Sequence, residues 1–408
     1  MQKEDKNSMN NKNLISSKKL AIYVHIPFCA KKCAYCDFLS APATSQMQTR
    51  YMWALCMEIA GFVEKNREAL SEYKISSVFF GGGTPSIVEA HTLVRVLTLL
   101  RESLPFDKDA EISIECNPGT ITKDKLSKYK RAGINRISIG LQSTDNRELA
   151  LLGRIHTWED FLFSYQLLLE AGFDNINIDL ISALPGQTLF SYEETLKKVI
   201  ALSPAHISAY SLIIEEETPF YQIYGDKKEG KELLECVPLP DEETERQMYV
   251  RTGEILRAAG YSRYEISNYA LPGKECRHNQ SYWNRTEYIG FGLGAASFFG
   301  GCRFSNERDL TTYIRLAEGK NSVCAQKVRL SLKDGMEEFM FLGLRMMCGV
   351  SEDEFFKQFG RGMWEIYGKI LQKHISLGLL EKKGNQIALT ERGIDVSNMV
   401  FCDFLLEE

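Results

Sequence analysis

The chain has 408 residues, 44% of them hydrophobic and 25% charged, and a formal net charge of −5. This length is too great for one ordinary compact unit and suits a barrel-sized domain together with a smaller one. The lack of a basic excess argues against a nucleic-acid partner, and no apolar stretch reaches the length of a bilayer span. Eleven cysteines without a recognisable secretory leader argue against a disulfide framework, so we expect a reduced, cytoplasmic setting.

The first half of the chain predicts a parallel α/β architecture. Residues 1–19 are predominantly polar and are expected to form a disordered tail. Within 20–222, stretches of helical periodicity separate six short apolar runs, which are 21–26, 76–83, 111–116, 135–140, 175–181 and 206–212. Strand, helix and strand at this interval indicate parallel βαβ units with right-handed crossovers. The pattern alone does not separate an open barrel from a doubly wound sheet.

The second half of the chain has a different pattern. Residues 223–330 are expected to form a connector region, since 223–247 is highly charged and contains two prolines. Residues 331–408 are expected to form a small α+β domain, in which two helical stretches precede a hairpin that turns at Gly384-Asn385, as in a winged helix. A DNA-binding wing would be basic, but this segment has 9 Lys and Arg against 13 Asp and Glu. A docking or structural role is the better hypothesis.

Three closely spaced cysteines carry the clearest chemical signal. Cys29, Cys33 and Cys36 follow the first predicted strand in the segment YVHIPFCAKKCAYCDF. Three thiolates can hold three irons of a [4Fe–4S] cluster and leave the fourth iron open to another molecule. The alternative is a zinc site, which usually has C-x2-C or C-x4-C pairs and needs a fourth ligand; His25 is the nearest one, within a strand-like run.

This C-x3-C-x2-C spacing, with an aromatic residue close behind it, resembles the cluster motif of the radical S-adenosylmethionine (SAM) superfamily. The resemblance implies that the amino and carboxylate groups of SAM chelate the open iron and that the fold is a partial (β/α)6 barrel. It also implies reductive chemistry, in which the cluster passes one electron to the sulfonium of SAM. The cofactor carries that chemistry, and the protein positions it and excludes water.

The resemblance further implies which residues surround SAM. Polar residues at the carboxyl ends of parallel strands are where binding and catalytic groups gather, although each of them singly could be a surface charge or a structural hydrogen-bonding group. The implied set is Tyr23, Tyr35, Gly82, Gly83, Thr84, Glu115, Gln142, Arg154 and Asp179. In this set the glycine-rich turn binds the amino group, Arg154 the carboxylate, and Tyr23 lies beside the sulfonium. Glu115, Gln142 and Asp179 surround the nucleoside.

Within the superfamily, the chain resembles the oxygen-independent coproporphyrinogen III oxidase-like group, which has two main branches. The coproporphyrinogen dehydrogenases carry a further cysteine two residues after the third cluster cysteine, where this chain has Phe38. The HemW-type heme chaperones carry an HNxxYW motif, and the chain has it in full, with the heme-binding candidates His278, Asn279, Tyr282 and Trp283. Histidine can ligate heme iron, and aromatic rings can cover a porphyrin.

Two qualifications apply to that motif. Cys276, two residues before His278, is a second potential iron ligand, and from residue chemistry alone His278 and Asn279 could equally brace a loop, with Tyr282 and Trp283 in the core. No C-x-x-C-H motif for covalent heme attachment is present.

The leading hypothesis is a heme chaperone that binds a [4Fe–4S] cluster, SAM and heme and transfers heme to acceptor hemoproteins. Its further partner would be a reductant protein for the cluster; peripheral membrane association and a homodimer stay open, and no nucleic acid is expected. The alternative is an oxygen-independent coproporphyrinogen III dehydrogenase, which would decarboxylate two propionates. A third hypothesis, a nucleic-acid-directed radical enzyme, depends on the winged-helix pattern alone and conflicts with the acidic C-terminal segment.

Overall fold

The computed structural model describes residues 17–225 and 236–406. Most of the tail predicted for 1–19 lies outside the described residues, as does the middle of the charged segment 223–247. The first strand already begins at Lys18, so the last two residues of the predicted tail belong to the fold.

The described residues form strands and helices in alternation. The strands are β1 (Lys18–Ile26), β2 (Tyr73–Gly82), β3 (Phe106–Cys116), β4 (Arg136–Gln142), β5 (Ile176–Ser182), β6 (His206–Ser211), β7 (Ser262–Glu265), β8 (Asn268–Ala270), β9 (Tyr288–Phe291), β10 (Ala296–Phe299), β11 (Cys302–Asn306), β12 (Cys324–Arg329), β13 (Val350–Ser351), β14 (Leu380–Lys383) and β15 (Gln386–Leu389). The helices are α1 (Ser45–Lys65), α2 (Arg67–Leu70), α3 (Ala90–Ser103), α4 (Lys123–Ala132), α5 (Asn146–Leu151), α6 (Trp158–Glu170), α7 (Leu189–Ala201), α8 (Pro219–Tyr224), α9 (Glu242–Ala258), α10 (Arg277–Trp283), α11 (Leu310–Glu318), α12 (Leu332–Gly343), α13 (Glu352–Phe359), α14 (Met363–Ser376), α15 (Glu391–Asp395) and α16 (Ser397–Cys402).

The six predicted apolar runs are the six parallel strands at the centre of the main sheet. Strands β1 to β6 pair in chain order, each parallel to the next. Helices lie between them in the chain, which is the βαβ repeat expected from the spacing. The carboxyl ends of all six strands therefore meet at one edge. The prediction of a partial (β/α)6 barrel with a small C-terminal domain is confirmed.

The region predicted as a connector is largely part of the same sheet. The full order is β12-β11-β10-β9-β1-β2-β3-β4-β5-β6-β8-β7, so residues from 223–330 supply both ends. Strand β9 pairs in parallel with β1, and β8 pairs antiparallel with β6. These added strands are only three to six residues long, too short for their alternation to stand out in the sequence. The described strands of the predicted connector and HNxxYW-containing region thus lie in the main sheet, and the domain boundaries expected at 223 and 330 stay a prediction.

The two faces of the central strands differ in chemistry. Along β2, Val78 and Phe80 enter the large apolar core that the helices cover, whereas Ser77 and Phe79 point to the opposite, inner face. On β4 and β5 the inner face is polar, with Asn177 donating to Ser138 at 2.7 Å and to Asp179 at 2.8 Å. Apolar burial on the outer face stabilises the fold, and the inner face is free to carry polar chemistry.

Residues 332–406 form the small C-terminal domain. The sheet order β13-β15-β14, with α12, α13 and α14, is the winged-helix arrangement that the sequence predicts, and Lys383 pairs with Gln386 across the Gly384-Asn385 turn. The Glu338 carboxylate of α12 forms ion pairs with Arg285, at 3.1 Å, and with Arg303. This largely buried cluster joins the domain to the barrel. The prediction omitted α13.

The buried carboxyl group of Glu58 links α1 to neighbouring elements by hydrogen bonds. Glu58 accepts hydrogen bonds from the Gly292 amide at 2.9 Å, the Asn306 amide at 2.7 Å and the Tyr313 hydroxyl at 2.5 Å. Burial raises the pKa of Glu58 to about 7, and the three hydrogen bonds oppose that rise. The folded protein therefore keeps this proton to higher pH than the unfolded chain does.

We expect Glu58→Gln to remove one component of the pH dependence of stability. Between the ordinary value of 4.5 and the folded value of about 7, the unfolded chain has released the Glu58 proton and the folded protein has not. The free energy of unfolding therefore falls as pH rises through this window, by up to about 3 kcal/mol, and is flat above it. Urea unfolding of both proteins across the window checks this; parallel pH profiles would contradict it.

Candidate functional site: the cysteine loop and the strand ends

The three predicted cluster cysteines lie on one loop that is closed at its base and held on two sides. The Cys29 amide donates to the Ala41 carbonyl at 3.2 Å, which closes the loop. At the far side, the Ala34 amide donates to the Leu152 carbonyl at 3.0 Å, and the Ala34 carbonyl accepts from the Phe220 amide at 2.9 Å. The loop is therefore fixed by the segments that follow β4 and β6.

The thiols on this loop fit an iron–sulfur cluster better than a single zinc ion. Cys29, Cys33 and Cys36 are all free and partly exposed. Among residues 17–225 and 236–406, no three His, Cys, Asp or Glu side chains are placed to hold one metal ion. In a cubane each thiolate binds a different iron, so the sulfurs need not converge on one centre.

His25 is not available as a fourth zinc ligand. Its Nδ1 is 3.0 Å from the Tyr23 hydroxyl, and its Nε2 is 2.9 Å from the Leu39 carbonyl. Burial lowers the pKa of His25 and so favours the neutral ring, while the hydrogen bond to the Leu39 carbonyl opposes that shift. Both ring nitrogens make structural hydrogen bonds between the strand and the loop. The zinc alternative therefore loses its nearest candidate ligand.

The glycine-rich turn after β2 lies directly against the cysteine loop. The Gly83 amide donates to the Ile26 carbonyl at 2.9 Å, and the Thr84 amide donates to the Phe28 carbonyl at 2.7 Å. A Cβ on Gly83 would lie 2.7 Å from the Phe28 oxygen and 3.0 Å from Cys29 Sγ. Only glycine allows this approach. The glycine-rich turn and the cysteine loop thus lie side by side.

The backbone conformation of Gly82 and its closeness to His25 predict that even a small substitution there lowers the stability of the fold. Its φ is +111°, and a Cβ there would lie 2.5 Å from the ring of His25, which two hydrogen bonds hold in place. We expect Gly82→Ala to lower the free energy of unfolding by about 2 kcal/mol more than Gly119→Ala, measured by denaturant titration. Gly119 is the matched control, because its φ is +79° and nothing lies within 4 Å of its Cβ position. Equal losses would contradict the role of the His25 contact.

Arg154 connects the loop to the strand ends. Its Nη2 donates to Asn117 Oδ1 and to the Gly140 carbonyl, each at 2.8 Å, and its Nη1 lies 3.6 Å from Cys33 Sγ. Its buried Nε has no hydrogen-bond partner among the described residues. A guanidinium with an unused Nε donor beside the cluster loop suits a carboxylate ligand, because a charge-assisted hydrogen bond inside a protein is strong.

Asn117 belongs to this site and was missed by the sequence reasoning. Its Nδ2 donates to Thr84 Oγ1 at 2.8 Å, while its Oδ1 accepts from Arg154. Thr84 Oγ1 in turn lies 3.6 Å from Cys29 Sγ. The signal was its position, since Asn117 directly follows β3 at the same edge as the other candidates. The side chain fixes the distance between the glycine-rich turn and the arginine.

Two carboxyl groups lie deeper, on the inner face. Glu115 accepts from the Gly82 amide at 3.1 Å, and Asp179 accepts from Ser138 at 3.0 Å. Burial, followed by the nearby charge of Asp179, raises the pKa of Glu115 to about 8. Burial likewise raises the pKa of Asp179. A pair of this kind offers both hydrogen-bond donors and acceptors, which is what a sugar diol needs.

Three further predicted SAM residues lie around the same space. Gln142, at the end of β4, is buried and has a φ of +76°, a left-handed conformation that is rare outside glycine. Tyr35 is partly buried within the cysteine loop; burial raises its pKa and nearby Arg154 opposes the rise. Tyr23 lies on β1, and its hydroxyl is within hydrogen-bond distance of the His25 ring. The structure therefore brings the predicted SAM set to one edge and one face of the sheet, as expected from the strand order.

The HNxxYW motif forms the short helix α10, which lies against the inner face of the sheet. The His278 ring stacks on Phe79 with centroids 5.1 Å apart and lies 6.4 Å from the ring of Tyr23. The backbone amides of Arg277 and His278 donate to the Glu111 carboxylate at 3.1 and 3.2 Å, which anchors the start of the helix. The motif and the predicted SAM site are therefore neighbours.

The two predicted iron ligands do not present free donor atoms in this arrangement. His278 Nδ1 is 3.0 Å from Ser77 Oγ, and its Nε2 is 2.8 Å from the Tyr282 hydroxyl. Burial lowers the pKa of His278 to about 3. Cys276 is fully buried, lies 3.5 Å from Glu111 and has a pKa raised by burial to about 12. As iron ligands they are not supported by this geometry, because burial and hydrogen bonding occupy both.

The rest of the motif is more open. Asn279, Tyr282 and Trp283 are partly buried. The guanidinium of Arg345, from the C-terminal domain, lies 4.4 Å from the centre of the Trp283 ring. The Trp283 Nε1 has no hydrogen-bond partner among the described residues. These rings stand where the barrel and the C-terminal domain meet.

Comparison with known proteins agrees with this geometry. A family model described as the Radical SAM superfamily matches residues 23–199, and one described as the HemN C-terminal domain matches residues 330–396. The chain is 36% identical to the heme chaperone HemW of Lactococcus lactis, over 95% of this chain and 97% of that protein. It is 34% identical to HemW of Bacillus subtilis, over 94% and 99%.

A solved structure matches over nearly the whole chain as well. Coproporphyrinogen III oxidase (HemN) from Escherichia coli, a radical SAM enzyme, superposes with a TM-score of 0.80 at 25% identity, over 96% of this chain and 92% of that one. None of the helices in the described part of the chain is long and apolar enough to cross a bilayer. The chain belongs to the radical SAM superfamily and, within it, to the family of the heme chaperone HemW.

Proposed function

We propose that this protein is a heme chaperone, which holds a [4Fe–4S] cluster, SAM and heme and passes heme to acceptor hemoproteins in the cytoplasm. The observation that carries the proposal is the identity of 36% to a heme chaperone over 95% of the chain. The full HNxxYW motif on α10 and its contact with the predicted SAM site support it.

The cluster and SAM would share the site at the strand ends. Cys29, Cys33 and Cys36 would hold three irons, and Arg154 would bind the carboxylate of SAM with its unused Nε. Glu115 would bind the ribose. When bound, the cluster supplies an electron and SAM supplies a cleavable sulfonium. The chain itself contributes position. Backbone hydrogen bonds hold the cysteine loop, Asn117 and Gly140 hold Arg154, and the Gly82 amide donates to Glu115.

Coproporphyrinogen dehydrogenation is the second candidate, and the likeness to HemN at a TM-score of 0.80 favours it. Phe38 counts against it, because that position carries a further cysteine in the dehydrogenases. A dehydrogenase would decarboxylate a porphyrinogen, whereas a chaperone would bind and transfer heme without altering it.

An anaerobic assay separates the two candidates. Protein with a reconstituted cluster is incubated with SAM, dithionite and coproporphyrinogen III, and porphyrins are separated by chromatography; a parallel sample is titrated with heme and followed by absorbance. We expect saturable heme binding and no decarboxylated product. Decarboxylation above a no-protein control would favour the dehydrogenase, and the absence of heme binding with cluster and SAM present would overturn the chaperone.

The iron ligand can be tested with the same titration. If His278 left Ser77 and Tyr282 to ligate iron, His278→Ala would change the Soret band and the spin state of the iron. If His278 only holds Tyr282, both signatures would stay those of wild type, and Tyr282→Phe would lower heme affinity by about as much as His278→Ala. We expect the second result.

A further inference from the structure

We propose that Arg345 binds a propionate of the tetrapyrrole ligand, at the place where the C-terminal domain meets the HNxxYW helix. The inference rests on the proposed function, which supplies the tetrapyrrole. It adds the residue that recognises the carboxylate side chain of the ligand, and it gives the C-terminal domain a part in binding.

The segment that carries Arg345 is held against the barrel by backbone pairing. It follows α12, and the Met347 amide donates to the Tyr264 carbonyl of β7 at 3.0 Å. Met346 forms a single antiparallel bridge with Glu265 of the same strand. The side chain of Met346 is buried in the apolar cluster of the inner face. The position of Arg345 is therefore fixed on both sides of the contact between barrel and C-terminal domain.

The guanidinium of Arg345 has no partner of opposite charge in the described part of the chain. Its Nε is buried without a hydrogen-bond partner there, and the side chain forms no ion pair with the described residues. Burial lowers the pKa of this guanidinium, and the nearby charge of Glu265 opposes that shift. The Glu265 carboxylate, however, already accepts from the Ser267 amide at 2.8 Å and from the Asn268 side-chain amide at 2.6 Å. A guanidinium with unused donors in a partly buried place suits a carboxylate ligand, because charge-assisted hydrogen bonds are strong there.

Two aromatic side chains near Arg345 suit the flat body of such a ligand. The Trp283 ring of the HNxxYW motif has its centre 4.4 Å from the guanidinium. Tyr210 is also a neighbour, since it contributes to the pKa of Arg345. His206 and Ser208 hydrogen-bond to an inner-face side chain, so the alternation along β6 places Tyr210 on the inner face as well.

The exposure of Tyr210 shows that there is room on this face. The side chain is 40% exposed, although it lies on a strand whose first four residues are buried. An open aromatic ring next to an unpaired guanidinium fits a ligand with a flat apolar body and carboxylate side chains. A tetrapyrrole with propionates has both.

A second cation near the motif, Arg136, is less suited to this role. Its charge helps burial to lower the pKa of His278, so it lies close to the motif. It begins β4, at the edge of the sheet opposite the strand ends, and is only 2% exposed. Arg345 is therefore the better candidate for the carboxylate of a ligand.

The test compares ligands that differ only in their carboxylates. Cluster-loaded protein with SAM is titrated with hemin and with hemin dimethyl ester at one detergent concentration, and binding is followed by Soret absorbance. We expect wild type to prefer hemin about tenfold or more, because the ester cannot give Arg345 a carboxylate. Arg345→Met should lose most of that preference and bind the ester as wild type does.

Two further variants serve as comparisons. Arg345→Lys keeps the charge without the planar guanidinium and should recover part of the preference. Arg361→Met removes an exposed arginine from the same domain and should keep the full preference of wild type. A preference for hemin that is as large in Arg345→Met as in wild type would overturn the inference and leave heme binding intact, as would a wild type that binds hemin and its ester equally.

A parallel titration with coproporphyrin III and its tetramethyl ester identifies the source of the propionate. If wild type binds no heme but prefers coproporphyrin III to its ester, and Arg345→Met does not, the arginine serves a dehydrogenase. The inference about Arg345 would then stand, and the proposed function would fail. A wild-type protein that binds neither tetrapyrrole would overturn both.

Discussion

Replacing Cys33 with alanine should leave the protein without an iron–sulfur cluster. Each of the three loop cysteines would hold a different iron, so two thiolates cannot retain the cubane. Cys33 also has a second contact, since Arg154 Nη1 lies 3.6 Å from its sulfur. After anaerobic reconstitution we expect iron and sulfide contents near zero, together with loss of the broad visible absorbance of the cluster.

A second cysteine serves as the control for that result. Cys324 is exposed on β12, far along the sheet from the loop, and Cys324→Ala should reconstitute to the iron content of wild type. The circular dichroism of both variants should match wild type, because the loop is held by backbone hydrogen bonds that the thiol does not make. A Cys33→Ala protein with a full complement of iron would show that the loop is not the cluster site.

Much of this site could be predicted from the sequence because its signals are local. The cysteine spacing and the glycine-rich turn are each contained within a few residues, and parallel strands in chain order bring their carboxyl ends to one edge. That geometry brings Glu115 and Asp179 together, whereas Arg154, which follows α5, could be grouped with them only through the resemblance. Pairing of β1 with β2 places the two local motifs side by side, with Ile26 opposite Gly82.

The rest of the site depends on contacts that the sequence does not contain. Asn117 is one polar residue after a strand, and only its bonds to Thr84 and Arg154 reveal its role. His278 reads as a metal ligand by residue type, but its two nitrogens are used by Ser77, far away in the chain, and by Tyr282. The short strands β7 to β12 are defined by their partners and not by their own patterns.

Replacing Arg154 with alanine should weaken SAM binding by about a hundredfold, which corresponds to about 2.7 kcal/mol. The guanidinium would give the carboxylate of SAM a charge-assisted hydrogen bond inside the protein, where such bonds are strongest. Its Nη2 is already committed to Asn117 and Gly140, so the fork is held in place before the ligand arrives. Arg154→Lys keeps the charge but not the fork, and we expect it to recover only part of the affinity.

Comparison with decarboxylated SAM makes this prediction independent of any general damage to the site. In calorimetric titrations, wild type should bind SAM much more tightly than the analogue that lacks the carboxylate. Arg154→Ala should keep only the part of that preference that chelation of the open iron would supply. Arg147→Ala, which removes an exposed arginine from the neighbouring helix α5, should keep the preference of wild type. A preference for SAM that is as large in Arg154→Ala as in wild type would show that Arg154 does not hold the carboxylate, and Arg154 would then be a positioning residue that acts through Asn117.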